Sequence, residues 1–150
     1  MIRIAGITEE STVDGSGIRF VIFVQGCLKS CPGCHNPQSQ NMDGGTRMRV
    51  SEIMERIRRN PLLDGVTISG GEPFLQAKKL VPLARQCHEI GLSIMVYSGY
   101  LHEEILENPA WQEFLNEIDV LVDGPFIESQ SVPKPPLRGS WNQRVIELKK

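Results

Sequence analysis

Apolar and polar positions fall into alternating blocks along this chain. Phe20-Val21-Ile22-Phe23-Val24 is a continuous apolar run rich in β-branched and aromatic residues, which predicts a strand buried on both faces. Asp14-Gly15-Ser16-Gly17 before it reads as a turn. Farther along, Ile53, Met54 and Ile57 share one face of a helix, with Ser51 as its N-cap, Glu52 and Glu55 near its positive end, and Asn60-Pro61 as its stop. Val66-Thr67-Ile68 is a second short strand. Leu80, Leu83, Ala84 and Cys87 form the inward stripe of a second helix, which Gly91 closes and which holds Pro82 in its first turn. Ser93 to Tyr97 reads as a third strand, Leu101 to Asn116 as helix broken at Asn108-Pro109, and Val120-Leu121-Val122 as a fourth strand. Gly124 to Pro136 carries four prolines and is expected to be irregular, after which Arg144 to Leu148 can return as a last strand.

Strands alternating with helices are the pattern of an α/β fold with a mostly parallel sheet wrapped by crossover helices. At 150 residues the chain suits one domain, 1–150, which buries roughly 70% of the surface its unfolded form exposes. Its few βα units are too few to close an eight-stranded barrel, yet each strand still delivers its following loop to the carboxyl edge of the sheet. Those loops carry unusual residues: the long segment from Cys27 to about Arg49, then Ser69-Gly70-Gly71-Glu72-Pro73, then Ser98-Gly99-Tyr100. One cleft is expected to be lined by all of them.

Charge narrows the partners. The net charge is -2, from 16 basic and 18 acidic residues interspersed, which gives no footprint for a nucleic-acid backbone or an anionic membrane. No apolar run reaches the length of a membrane span, and the start MIRIAGITEE lacks the basic-then-apolar order of a secretory signal, so a cytoplasmic location is expected. Of four cysteines, three crowd into Cys27-Leu28-Lys29-Ser30-Cys31-Pro32-Gly33-Cys34. That crowding suits metal ligation by reduced thiols better than a disulfide framework.

Three cysteines are one too few for a closed site. Structural zinc wants four ligands, and a fully ligated four-iron cluster wants four thiolates. Counting His35 as a fourth zinc ligand puts adjacent ligands at 34 and 35, which are awkward to aim at one ion. Cys87 falls on the apolar stripe of a helix, where a thiol acts as a small buried hydrophobe. Three thiolates on a four-iron cluster leave one iron open to something other than protein. Vicinal glycines at Gly70-Gly71 let a ligand approach the backbone closely, although alone they read as a tight turn.

C-x3-C-x2-C after a first strand and Gly-Gly-Glu-Pro after a second resemble the radical S-adenosylmethionine superfamily. The resemblance implies an incomplete βα barrel, a 4Fe-4S cluster on Cys27, Cys31 and Cys34, and S-adenosylmethionine chelated to the open iron. It also implies that Gly70, Gly71 and Glu72 receive the methionyl end, that backbone groups of Gly33 and His35 meet the adenine, and that Cys34 between them belongs to the cofactor-binding set as well as to the cluster. Gly33 stands where many members have an aromatic residue. Ser98 and Asp123, at strand ends, are expected to bond to the ribose or the methionine carboxylate.

The length, the segment Asp14-Gly15-Ser16-Gly17-Ile18-Arg19, and the tail from Val120-Leu121-Val122-Asp123-Gly124 to Arg138-Gly139-Ser140-Trp141-Asn142-Gln143-Arg144 resemble the activating proteins of anaerobic ribonucleoside-triphosphate reductase. That likeness implies an oxidoreductase that uses a 5'-deoxyadenosyl radical to abstract a Cα hydrogen from a glycine of the reductase. The partners implied are the glycyl-radical subunit of that reductase and a one-electron reductant such as flavodoxin or ferredoxin. Two other readings stand beside it: an activase of another glycyl-radical enzyme such as pyruvate formate-lyase, and a noncatalytic metal-binding or electron-transfer module.

Overall fold

A computed structural model describes residues 1–27 and 44–148. Cys31, Gly33, Cys34 and His35 lie outside the described residues. Seven strands form one sheet: β1 (Ile2–Ser11), β2 (Arg19–Val24), β3 (Thr46–Met48), β4 (Gly65–Gly70), β5 (Ser93–Tyr97), β6 (Val120–Asp123) and β7 (Arg144–Glu147), in the order β3-β1-β2-β4-β5-β6-β7. The central run β2-β4-β5-β6 is parallel, while β1, β3 and β7 pair antiparallel at the two sides. The architecture is therefore mixed α/β with a mostly parallel core.

The expected strands stand where the apolar runs placed them, and two more extend the sheet. β1 pairs with β2 across two register shifts, and the bend between them contains Asp14 to Gly17. β3 adds only three residues to the outer edge of β1.

Helices α1 (Val50–Arg58), α2 (Ala77–Glu89), α3 (His102–Leu106) and α4 (Gln112–Leu115) supply the crossovers. Alternate residues of the strands, Phe20, Ile22 and Val24 with Val66, Ile68, Ile94 and Val96, join Ile53, Met54, Ile57, Leu80, Leu83, Ala84 and Cys87 in one buried core. The stripes expected of the two long helices are thus the faces they bury. Cys87 is fully buried, with its thiol 3.7 Å from the Met54 sulfur and pushed up to about 12 by burial. It is an inert core residue.

Two helix starts differ from expectation. The cap of α1 is Arg49, whose amide donates to the Glu52 carboxylate at 3.1 Å, so Ser51 lies inside the first turn. Pro82 sits in the middle of α2 because a 3-10 turn over Pro73–Gln76 leads straight into the helix at Ala77. Its ring is on the exposed side. At the other end, Gly91 has φ +83° and closes α2 as expected. The break at Asn108-Pro109 is also present: the Asn108 side chain accepts from the Ala110 amide at 3.0 Å and starts a 3-10 turn ahead of α4.

Candidate active site

The face of the sheet opposite the helices carries the other strand residues, among them Phe23, Ser69 and Tyr97, and a cleft opens there. Cys27 after β2, Ser69-Gly70-Gly71-Glu72 at the end of β4, Ser98-Gly99 after β5 and Gly124 after β6 all line it. Parallel strands deliver their carboxyl ends to the same edge, and this puts Cys27, the first residue of the cysteine segment, beside the loops after β4 and β5. Val13 and Asp14 form one lip. The opposite wall is the segment 124–143, which folds back across the sheet face.

The glycine turn is bolted to the cysteine strand. The Gly71 amide donates to the Val24 carbonyl at 2.8 Å and the Glu72 amide to the Gly26 carbonyl at 2.7 Å. Gly70 has φ +94°, and a Cβ there would lie 2.7 Å from the Val24 nitrogen and 2.8 Å from the Phe23 backbone. Only glycine allows this approach, which keeps Cys27 and the Gly70-Gly71 turn in fixed relation.

Glu72 is turned inward. Its side chain is 1% exposed and accepts from the Ser98 hydroxyl at 2.9 Å, the Gly99 amide at 2.7 Å and the Phe74 amide at 3.2 Å. The Ser98 oxygen in turn accepts from the Tyr100 amide at 3.1 Å. Glu72 and Ser98 therefore clamp the loop after β4 to the loop after β5. A ligand at this end meets mainly the backbone of residues 69–72, because the carboxylate is already occupied by donors of the protein.

Asp123 departs from expectation. Its carboxylate is fully buried, accepts from the His102 amide at 2.8 Å and binds Arg144 of β7, whose guanidinium also reaches Glu103 at 2.9 Å. Burial works against the charged form, but hydrogen bonds from Arg144 and His102 outweigh it and hold the Asp123 carboxyl below the usual carboxylate range. Both oxygens have partners in α3 and β7, and Asp123 is not among the residues lining the cleft, so in this structure the residue fastens the last strand.

Several organising residues had no assigned role in the sequence. Arg19 is 3% exposed on the cleft side of β2, and donates to Thr67 Oγ1 at 2.8 Å and to the Val66 and Ser93 carbonyls at 3.0 Å. Burial lowers its pKa, and its donors are met by neutral acceptors. Thr67 Oγ1 donates to the Asp14 carbonyl at 2.7 Å, so Arg19 holds the lip through Thr67. The signal for Arg19 was a cation opening an otherwise apolar strand. Gln143 organises the opposite wall: its Oε1 accepts from the Gly139 and Ser140 amides at 2.8 and 3.2 Å, and its Nε2 donates to the Gly124 carbonyl at 2.8 Å. Tyr97 ties that wall down by donating to the Leu137 carbonyl at 2.7 Å, and burial pushes its phenol up to about 12.

This arrangement fits an iron–sulfur cofactor of the kind the cysteine spacing implies. A soft thiol, Cys27, is partly exposed beside a glycine turn that leaves the cleft floor clear of side chains at positions 70 and 71. Cys31 and Cys34 follow it in the chain.

Comparison with known proteins gives the same answer. The model of a 4Fe-4S single cluster domain matches residues 13–146. The chain is 34% identical over 149 residues to the anaerobic ribonucleoside-triphosphate reductase-activating protein of Haemophilus influenzae, covering 91% of this chain and 92% of that protein. It is 40% identical over 117 residues to the pyruvate formate-lyase-activating enzyme of Clostridium pasteurianum, but there it spans only about half of the relative: 72% of this chain and 49% of the enzyme are covered. Among solved structures, QueE from Escherichia coli shares the fold, with a TM-score of 0.53 at 18% identity over 67% of this chain and 54% of that one. The chain belongs to the radical S-adenosylmethionine family of glycyl-radical activating proteins, whose cofactors are a 4Fe-4S cluster and S-adenosylmethionine.

Proposed function

We propose that this protein activates anaerobic ribonucleoside-triphosphate reductase by abstracting a Cα hydrogen from one glycine of its glycyl-radical subunit. The observation that carries the choice of partner is coverage. The match to a reductase-activating protein runs through 92% of that relative, whereas the match to a pyruvate formate-lyase-activating enzyme accounts for 49% of it. The higher identity to the latter, 40%, favours the lyase as a second reading.

Cys27, Cys31 and Cys34 hold the cluster in this reading. The backbone of Gly70, Gly71 and Glu72 receives the methionyl end of S-adenosylmethionine, and backbone groups of Gly33 and His35 border its adenine. When bound, the two cofactors supply one-electron chemistry strong enough to take a hydrogen atom from carbon. The protein's task is position. Glu72 and Ser98 fix the two loops at the cofactor end, and the hydrogen bonds from Gly71 to Val24 of β2 and from Glu72 to Gly26 just after it keep those loops at constant distance from the first cysteine. No side chain acts as acid or base.

The seven-stranded sheet is, in this account, an incomplete barrel within one domain, 1–150, and its open side admits a glycine-bearing loop of another protein. A flavodoxin or ferredoxin supplies the electron, and the reducing cytoplasm is the place of action. The test is to reconstitute the cluster anaerobically, add reductant and S-adenosylmethionine, and record electron paramagnetic resonance with the reductase and with pyruvate formate-lyase in separate samples. A glycyl-radical signal in the reductase sample is expected. A signal only with the lyase would transfer the assignment to the second reading.

A further inference from the structure

We propose that the outer lip of the cleft, from Val132 to Trp141, is a docking surface for an acidic, apolar-bearing segment of the glycyl-radical partner. The inference rests on the activase reading and adds to it where the partner is held.

The sequence separates charge sharply here. The chain as a whole is slightly acidic, but from Ser129 to Ile146 it carries Lys134, Arg138 and Arg144 and no acidic residue. Arg144 is matched by Asp123 and Glu103. Lys134 and Arg138 line the cleft, and no ion pair among the described residues engages either of them. Two unmatched cations on one lip favour an anionic occupant.

Apolar groups stand beside them. Val132 is 84% exposed and Trp141 47%, and Leu137 meets solvent at the cleft mouth. The Trp141 indole and the Leu137 backbone are held in place. Trp141 Nε1 donates to the Pro133 carbonyl at 2.7 Å, and the Arg138 guanidinium lies 5.2 Å over the indole ring while donating to the Gln143 carbonyl at 3.2 Å. Leu137 has φ +60°, an unusual conformation for a bulky residue, and the Tyr97 hydroxyl holds its carbonyl. A preorganised arginine and tryptophan with exposed aliphatic neighbours has the composition of a protein-binding hot spot.

Size decides between cofactor and partner. Val132 and Trp141 stand outside the residues that line the cleft, whereas Cys27 and Gly70-Gly71 line it. A small molecule seated at the cysteine end leaves those two side chains uncovered. A peptide segment that lies on the lip covers them and presents its next residues to the cleft.

The experiment is equilibrium binding, under anaerobic conditions, of cluster-reconstituted protein with S-adenosylmethionine to the glycyl-radical subunit of anaerobic ribonucleoside-triphosphate reductase, at low and high salt. Lys134→Glu and Trp141→Ala are each expected to weaken binding roughly 10- to 100-fold, and the charge reversal to flatten the salt dependence. Arg138→Lys, which keeps the charge but loses the planar stack, is expected to fall between wild type and the other two. Unchanged affinity in Lys134→Glu and Trp141→Ala overturns the proposal, as does a wild-type protein that does not bind the subunit. Cleavage of S-adenosylmethionine without partner is measured in parallel on the wild type. Its failure would remove the activase reading while leaving the binding result to stand on its own.

Discussion

Gly70→Ala separates a structural demand from a ligand-binding one. At φ +94° an alanine is strained by about 1–2 kcal/mol. Its Cβ would also sit 2.7 Å from the Val24 nitrogen and 2.8 Å from the Phe23 carbonyl carbon and Cα. Those atoms belong to β2, which is paired on both sides, to β1 and to β4, so the backbone has no room to retreat. Relief of such a contact costs a further ~1–3 kcal/mol. The total of about 2–5 kcal/mol is a large share of the ~5–15 kcal/mol that stabilises a typical domain. With a urea slope of about 2 kcal/mol/M, the unfolding midpoint drops by roughly 1–2.5 M. Gly91→Ala is the control: its φ is +83° and a Cβ there meets nothing within 4 Å, so only the ~1–2 kcal/mol of strain remains. The assay is urea unfolding followed by far-ultraviolet circular dichroism, with all proteins prepared in the same cluster state. Equal midpoint shifts in the two variants would refute the reasoning, because the β2 contact would then add nothing.

The other predictions address the clamp, the last strand and the cysteines. Glu72→Ala leaves the Ser98 hydroxyl and the Gly99 and Phe74 amides without their acceptor, and is expected to destabilise by about 3 kcal/mol and to lower cofactor cleavage more than 10-fold; Glu72→Gln, which keeps the shape and one acceptor, recovers part of both in denaturation and turnover assays. Asp123 has a folded pKa below its unfolded value of ~3.9, so its stabilising contribution is complete above that value and is lost as pH falls through the folded pKa. Asp123→Asn should accordingly flatten the stability–pH curve below about pH 4, as read from urea midpoints across an acid series. Cys31→Ala should abolish cluster absorbance and 5'-deoxyadenosine formation together, whereas Cys87→Ala, in the core against Met54, should leave the cluster intact and cost about 1 kcal/mol of stability.

The parallel core was legible because its strands are written as short apolar runs bounded by turn residues, and its helices as stripes with caps. β1 was not, since Ile2 and Ile4 are buried at its start, Ala5 to Ile7 are only half-buried, Thr8 to Glu10 are exposed and Ser11 is buried again, so its pattern fades where the pairing bulges. β3, with its three residues, offers no periodicity to read. At the site, Cys27, the Gly70-Gly71 turn and Ser98 could be expected in one cleft from their places at strand ends. What a sequence cannot show is which way a carboxylate turns. Glu72 follows two glycines and does line the cleft, but its carboxylate is taken up by Ser98, Gly99 and Phe74, while Asp123 ends a strand and looks like a cleft residue until its donors are known. For Asp123 the decisive partner is Arg144, 21 residues away and opposite it only because β7 pairs antiparallel with β6. Arg19 was likewise invisible as an organiser, because all its acceptors but the nearby Ser16 carbonyl lie 47 to 74 residues later in the chain.

The central claim is that hydrogen is taken from a glycine Cα of the reductase. The most direct test is to incubate the reduced, cluster-loaded protein and S-adenosylmethionine with a reductase subunit whose glycines carry deuterium at Cα, and to follow the label by mass spectrometry alongside the radical signal. Deuterium appearing in 5'-deoxyadenosine in step with the glycyl radical is the result this account predicts. Formation of unlabelled 5'-deoxyadenosine with no glycyl radical would contradict it.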